Sequence, residues 1–148
     1  MDIEVSVVAG IVIKDECILI SQRPSGKHLQ GMWEFPGGKV NPGETHQIAL
    51  KRELKEELGF EAFVGPEFHY VDHQYSTKRV KLWFYLCGIE NGAPRSLESN
   101  PFQWIQTGAL DQFKFPPADC QLLEDLKKTP ISELLRRLSD FRNSARSK

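Results

Sequence analysis

Apolar residues recur with two different periods along this chain. Glu4 to Ile13 alternates loosely and is rich in Val and Ile, a strand pattern. Lys14-Asp15-Glu16 predicts a turn and Cys17 to Gln22 a second strand, so the pair reads as a hairpin. Arg23 to Gln30 is polar and predicts a loop. Met32 to Pro36 is a short apolar run leading into Gly37-Gly38, and Asn41-Pro42-Gly43 predicts a turn. From Thr45 to Leu58 the period becomes helical, with no Pro or Gly, and Gly59 stops the helix. Phe60 to Phe68, Val71 to Tyr75 and Val80 to Ile89 predict strands, with Trp33 and Trp83 assigned to the core. After the turn Asn91-Gly92-Ala93-Pro94 comes a short strand, Phe102 to Ile105. Phe115-Pro116-Pro117-Ala118 is a rigid lead-in to a helix through Lys127, with Asp119 in position to cap it. Thr129-Pro130 predicts a cap with Pro at the first helical position, opening a last helix to about Phe141, with Asn143 to Lys148 frayed.

A chain of 148 residues with 40% hydrophobic and 26% charged positions fits a single domain, 1–148, with 130–148 as a helical extension. No apolar run approaches the roughly 20 residues that span a bilayer. The first 14 residues lack a basic leader and cleavage site, so the expected location is the cytoplasm, away from membranes. Cys17, Cys87 and Cys120 are scattered, which argues against a zinc site or a disulfide framework. The net charge of −1 argues against a nucleic-acid polymer as partner. Residues 127–148 hold seven basic and two acidic side chains, a net of +5, so the other 126 residues carry −6. This tail predicts a surface helix whose removal after Thr129 leaves kcat/KM within a few-fold, at some cost in stability.

The helical segment breaks local rules. Glu53 and Glu57 are spaced i,i+4 and Glu53 and Glu56 i,i+3, so three carboxylates project over one face. Leu50, Leu54 and Leu58 form the adjoining apolar stripe, and Lys51 and Lys55 fall on the far side. Like charges at this spacing cost a few tenths of a kcal/mol each. Glu56 and Glu57 also lie in the last turn, where the helix dipole disfavours anions by roughly 0.3–1 kcal/mol. A solvated acidic face and a site for a hard cation such as Mg²⁺ are the two explanations. The surroundings favour the cation. Gly38, Glu44, Arg52 and Gly59 stand at fixed offsets from the acids, and chance recurrence of such a pattern is on the order of 10⁻⁷ or less.

Gly38-x₅-Glu44-x₇-Arg52-Glu53-Leu54-x-Glu56-Glu57-x-Gly59-Phe60 resembles the Nudix box at every defined position. Trp33 to Lys39, Leu82 to Leu86 and Phe115 to Ala118 are similar to the lead-in, central strand and base-pocket segments of its MutT type, so the likeness spans about 3–127. The resemblance implies an α+β fold, a mixed central β-sheet sandwiched between helices. It implies Mg²⁺, with Mn²⁺ as a substitute, held by Glu53, Glu56, Glu57, the carbonyl of Gly37 and Glu98. It implies cleavage of a nucleoside triphosphate to a monophosphate and pyrophosphate, with Glu53 taking the proton of water, Arg52 orienting it, and Glu44 capping the helix or assisting the base. Arg23, His28 and Lys39 align with phosphate or supporting positions, and Lys78 and Arg79 add positive charge. Phe35 and Tyr75 are either base-stacking or core aromatics. Asp119 falls where the MutT type carries Asn, so it either reads the base or only caps the next helix.

Three functional readings follow. The first is an 8-oxo-dGTP-hydrolysing sanitiser of the nucleotide pool, a monomer or weak dimer. The second keeps the chemistry and changes the substrate to CTP or 5-methyl-dCTP. The third is a non-catalytic recognition module of the same fold, which the complete set of box carboxylates argues against.

Overall fold

A computed structural model describes residues 3–23, 31–98 and 100–146. The predicted loop 24–30, with His28, therefore lies largely outside the described residues, as do Ser99 and residues 147–148.

Strands β1 (Ile3–Lys14) and β2 (Cys17–Gln22) form the expected hairpin, with Ile13 opposite Ile18 and Lys14 opposite Cys17. Both turn residues are left-handed, Asp15 at φ 50° and Glu16 at φ 63°, as a two-residue type I′ turn requires. Neither is glycine, and a left-handed L-residue costs roughly 1–2 kcal/mol. Glu16→Gly is therefore expected to raise the melting temperature by about 2–4 °C, the shift that follows from 1 kcal/mol at this size. A thermal melt that leaves it unchanged or lower would contradict this.

The lead-in folds as two short strands, β3 (Trp33–Glu34) and β4 (Gly37–Lys39). Helix α1 (His46–Leu58) follows a turn in which Glu44 N–H donates to the Asn41 carbonyl at 3.0 Å, with Gly43 at φ 83°. Pro42 and Gly43 occupy the two central places that a type II turn prescribes. The cap is Thr45, whose Oγ1 accepts from Ile48 N–H at 3.2 Å. Glu44 does not cap α1, a correction to one of its two expected roles.

The strands predicted at 60–68 and 71–75 are one continuous strand, β5 (Glu61–Gln74), paired antiparallel with β6 (Lys78–Asn91) through register shifts near Glu67 and His69. A bulge shifts the side-chain alternation without ending the strand. β7 (Phe102–Ile105) pairs with β2. Two 3₁₀ turns, Thr107–Gln112 and Pro117–Asp119, precede α2 (Cys120–Lys128) and α3 (Ile131–Arg146). Helix α3 thus includes part of the tail expected to fray. Thr129 does not cap it; its hydroxyl donates back to the Asp125 carbonyl of α2 at 2.7 Å.

Among the described residues the seven strands form one mixed sheet with the path β3-β2-β1-β6-β5, and β1 and β6 run parallel. Val8 and Val12 of β1 face α1, where they meet Leu50, Leu54 and Leu58. Ala9, Ile11 and Ile13 face the other way, toward Leu122 and Leu126 of α2 and Leu134 and Leu138 of α3. The result is the expected three-layer sandwich. Trp33 and Trp83 are only half-buried and edge the two cores rather than fill them. Among the described residues no helix is long and apolar enough to cross a membrane.

Candidate functional site

The register aligns the groups that line one cleft. β4 pairs with β1 so that Ala9 faces Gly37 and Val8 faces Gly38. β1 pairs with β6 and β6 with β5, setting Val7, Leu82 and Val71 in one rung and Val5, Val80 and His73 in the next. These side chains floor a cleft of about 410 Å³. Gly37, Gly38, Lys39, Glu57 and Glu98 stand at one margin, and Pro116, Ala118 and Asp119 supply a wall.

The double glycine is dictated by close approach. A Cβ on Gly37 would lie 2.0 Å from the Val8 carbonyl oxygen, and one on Gly38 only 2.3 Å from Cδ of Glu53. Glu53 is thereby laid against the backbone of β4. Its Oε1 accepts from Nη1 of Arg52 at 2.9 Å. Arg52 also grips both oxygens of Glu44, at 2.8 and 2.9 Å, and donates to the Lys39 carbonyl at 3.0 Å. A planar guanidinium matches this fork of acceptors and fixes the loop, β4 and α1 relative to one another. Those bonds hold the Glu44 carboxyl below its ordinary range, first through Arg52. Burial pushes Glu53 up, opposed by Arg52.

Glu57 is the most perturbed of the box acids. Burial, then the charges of Glu34, Glu53 and Glu98, push its carboxyl up to about 8, against a backbone hydrogen bond from Gly37. Glu98 belongs to a loop tied to the end of α1, where Arg95 N–H donates to the Leu58 carbonyl at 2.8 Å and Leu97 N–H to that of Glu57 at 3.1 Å. Glu56 points outward, its side chain 55% exposed and 3.4 Å from Arg52, and it does not line the cleft. Among the described residues no three His, Cys, Asp or Glu side chains gather closely enough to hold an ion as they stand. The donor chemistry still fits a hard divalent cation. Three carboxyls that push a fourth, Glu57, above its ordinary range make an oxygen-rich site short of positive charge.

Of the other expected residues, Arg23, Lys39, Tyr75 and Lys78 line the cleft. Arg23 is ion-paired with Glu34 at 2.7 Å, while Arg79 is taken up by Asp72 and does not line the cleft. Phe35 is core, 4% exposed, and stacks on Phe115 at 5.5 Å with one surface reaching the cleft. Asp119 occupies the N-cap position of α2 but makes no capping hydrogen bond. It is 6% exposed and turned into the cleft, where burial, then the charge of Glu34, push it up to about 7, opposed by Arg23. Glu34 and His73 are cleft residues that sequence reasoning missed. Glu34 was marked by a charge inside an apolar run, and His73 by sharing the period-two face of Val71 and Tyr75.

Residues 7–125 match the NUDIX domain family. An 8-oxo-dGTP diphosphatase of Haemophilus influenzae is 38% identical over 128 residues, 85% of this chain and 94% of that protein. A CTP pyrophosphohydrolase of Escherichia coli K12 is 38% identical over 120 residues, 81% of this chain and 89% of that one. The solution structure of the E. coli ORF135 protein superposes with a TM-score of 0.71 at 36% identity, covering 84% of this chain and 89% of the other.

Proposed function

Since the chain belongs to the Nudix hydrolase family, whose members generally use a divalent metal ion, we propose that it is a Mg²⁺-dependent nucleoside triphosphate pyrophosphohydrolase that acts on 8-oxo-dGTP. The observation that carries this reading is one cleft with the box carboxylate Glu57 and the loop carboxylate Glu98 at its margin, an apolar floor and a buried carboxyl on its wall. Glu53, Glu56, Glu57, Glu98 and the carbonyl of Gly37 are the groups proposed to hold the metal. Mn²⁺ has the same preference for oxygen donors. Bound there, the ion would neutralise polyphosphate charge and polarise the phosphoryl oxygens.

The residues of the chain do the rest. Lys39, at the rim beside the double glycine, meets the phosphates. Glu53 accepts a proton as water adds to the β-phosphorus. The bond from that phosphorus to the α-bridging oxygen breaks, leaving the nucleoside monophosphate and pyrophosphate. Arg52 holds Glu53 in place through its hydrogen bond to Oε1 at 2.9 Å. A methyl group at residue 38 would displace the Glu53 carboxylate, the flexible end of its side chain, sooner than it would break the fold. Gly38→Ala is therefore expected to lower kcat by on the order of 10²-fold, the cost of a misplacement near 1 Å, with little change in the thermal melt. Full activity would mean that Glu53 needs no such seat.

Asp119 bears on the base. Protonated, its carboxyl donates to O6 and accepts from N7–H of 8-oxoguanine, as an Asn amide would. Guanine offers a bare N7 acceptor instead. Ionised, Asp119 only accepts, which suits the N4 amino group of cytosine. That, with the 38% identity to a CTP pyrophosphohydrolase, supports CTP or 5-methyl-dCTP as the second reading. Glu34, Arg23 and Tyr75 are the charged and titratable groups electrostatically coupled to Asp119. Because its pKa is raised to about 7, the neutral form prevails below that pH and is lost above it. Preference for 8-oxo-dGTP over dGTP is therefore expected to fall as pH rises through about 7, and Asp119→Asn is expected to keep the preference and flatten its pH profile. The test is a kcat/KM panel of normal, oxidised and methylated nucleoside triphosphates from pH 6 to 8.5. A wild-type preference for a cytosine nucleotide, abolished in Asp119→Asn, would replace the first reading by the second.

A further inference from the structure

His69 takes no part in the steps above, yet its side chain is only 14% exposed. It stands on β5 in phase with Val71 and His73 and opposite Phe84, three residues that line the cleft. Its ring centroid lies 6.3 Å from that of Phe84. From this strand it crosses to α2, where its Nδ1 is 3.1 Å from Oδ2 of Asp125. The other oxygen of Asp125 accepts from Nε2 of Gln121 at 3.1 Å, one turn nearer the start of the helix. Asp119 comes two residues before Gln121, on the cleft wall. Its carboxyl makes no capping hydrogen bond, so the backbone that runs from the wall into α2 places it. Leu122 and Leu126 seat α2 in the core, but apolar contacts are non-directional and leave the helix free to turn about its axis. A groove of about 230 Å³, lined by Phe68, Asp125, Lys128, Thr129 and Arg137, opens beside Asp125 and leaves room for such a shift.

We propose that His69 and Asp125 form a strut between the floor strand of the cleft and the helix that continues its wall: the pair fixes the rotation of α2 and so holds Asp119 in place to read the base. This rests on the reading of Asp119 as the group that meets the base. A polar contact has a direction and a length, which the leucine contacts lack, and it joins α2 to the strand that carries Val71 and His73. His69 and Asp125 are thus positioning residues for base selectivity. Neither touches substrate, and neither acts on the phosphate chain at the opposite margin, where Gly37, Gly38 and Lys39 belong to β4.

The test is a mutant cycle read as selectivity, the ratio of kcat/KM between the nucleoside triphosphate that wild type prefers and dGTP. His69→Ala, Asp125→Ala, their double and Asp125→Asn would each be made in wild type and in an Asp119→Ala background. Each alanine variant is expected to lower selectivity by roughly 3–10-fold, the factor that corresponds to one net hydrogen bond. The loss is expected in KM, with kcat for the preferred substrate within about 2-fold of wild type. The double is expected to lose no more than either single, because both remove the same contact. Asp125→Asn is expected to stay within about 2-fold of wild type, since its amide oxygen still accepts from Nδ1–H. With Asp119→Ala already in place, none of the four is expected to change selectivity further. Asp125 is 40% exposed, so its variants carry the test should His69→Ala fail to fold. Wild-type selectivity in both single alanine variants overturns the proposal. So do additive losses in the double, an equal loss in the Asp119→Ala background, or a uniform fall in kcat for every base. Those results leave the reading of Asp119 intact. If Asp119→Ala alone leaves selectivity unchanged, that reading fails and the proposal with it.

Discussion

Glu53→Gln is expected to lower kcat by at least 10²-fold and to change KM little. General-base catalysis contributes about 10²–10⁴-fold, and an amide has no comparable basicity. The substitution is nearly isosteric. The Gln carbonyl oxygen still accepts from Arg52 at the place where Oε1 of Glu53 now does, 2.9 Å away, so the seat against Gly38 survives. The groups proposed to bind the substrate, Lys39, the apolar floor and Asp119, all remain. Glu53 also differs from its neighbours in the box. Glu57 is more strongly perturbed, pushed up to about 8 by burial and three other carboxyls, which is the signature of a group that wants a cation. Glu56 is 55% exposed. Glu44 is engaged through both oxygens by Arg52 and accepts from Asn41 N–H as well, so most of its acceptor sites are taken. Steady-state kinetics at saturating metal decides the matter. Near-wild-type kcat would remove Glu53 from proton transfer and move the role to a carboxylate that lines the cleft, with Glu98 first in line.

Removing residues 130–148 is expected to cost far more stability than a surface helix would. Leu134 is 0% and Leu138 9% exposed, both within the core cluster that holds Leu122 and Leu126. A Cβ on Gly65 would lie 2.5 Å from Leu138 Cδ1, so β5 carries a residue that lets α3 sit close. Arg142 lies 4.0 Å over the ring of Phe63 and 3.1 Å from Glu90. Losing two buried leucines at about 1.5–3 kcal/mol each amounts to roughly 5 kcal/mol. That is a large share of a typical total of about 5–15 kcal/mol. Truncation after Thr129 should lower the melting temperature by roughly 10–20 °C. No residue of α3 lines the cleft, so kcat/KM per folded molecule should stay within a few-fold at low temperature. A melt within about 3 °C of wild type would show that the core closes without α3.

The box helix was legible because three signals coincide there: a helical apolar stripe, a turn before it and a glycine stop after it, and carboxylates with no local reason to be together. β5 was legible only in pieces. Its alternation slips near His69, where the structure has a bulge, and in sequence a phase slip looks the same as a break. The seat of Glu53 depends on how β4 pairs with β1, a contact between separate segments that no periodicity encodes. Asp119 was open because Asp suits both an N-cap and a polar contact; only its burial and orientation distinguish them. Glu34 and His73 reach the cleft through strand parity across three paired strands, which becomes readable once the register is known. The positive tail misled through its charge. Arg136 pairs with Glu133 and Asp140, and Lys127 with Asp111 and Glu124, so its cations serve packing as well as the surface.

The most direct test of the account is the identity of the products. Purified protein, Mg²⁺ and 8-oxo-dGTP in ¹⁸O-labelled water should yield the nucleoside monophosphate and pyrophosphate, with the label in the pyrophosphate, and the reaction should stop on chelation of the metal. Orthophosphate with a nucleoside diphosphate, label in the monophosphate, or no metal-dependent turnover would contradict it.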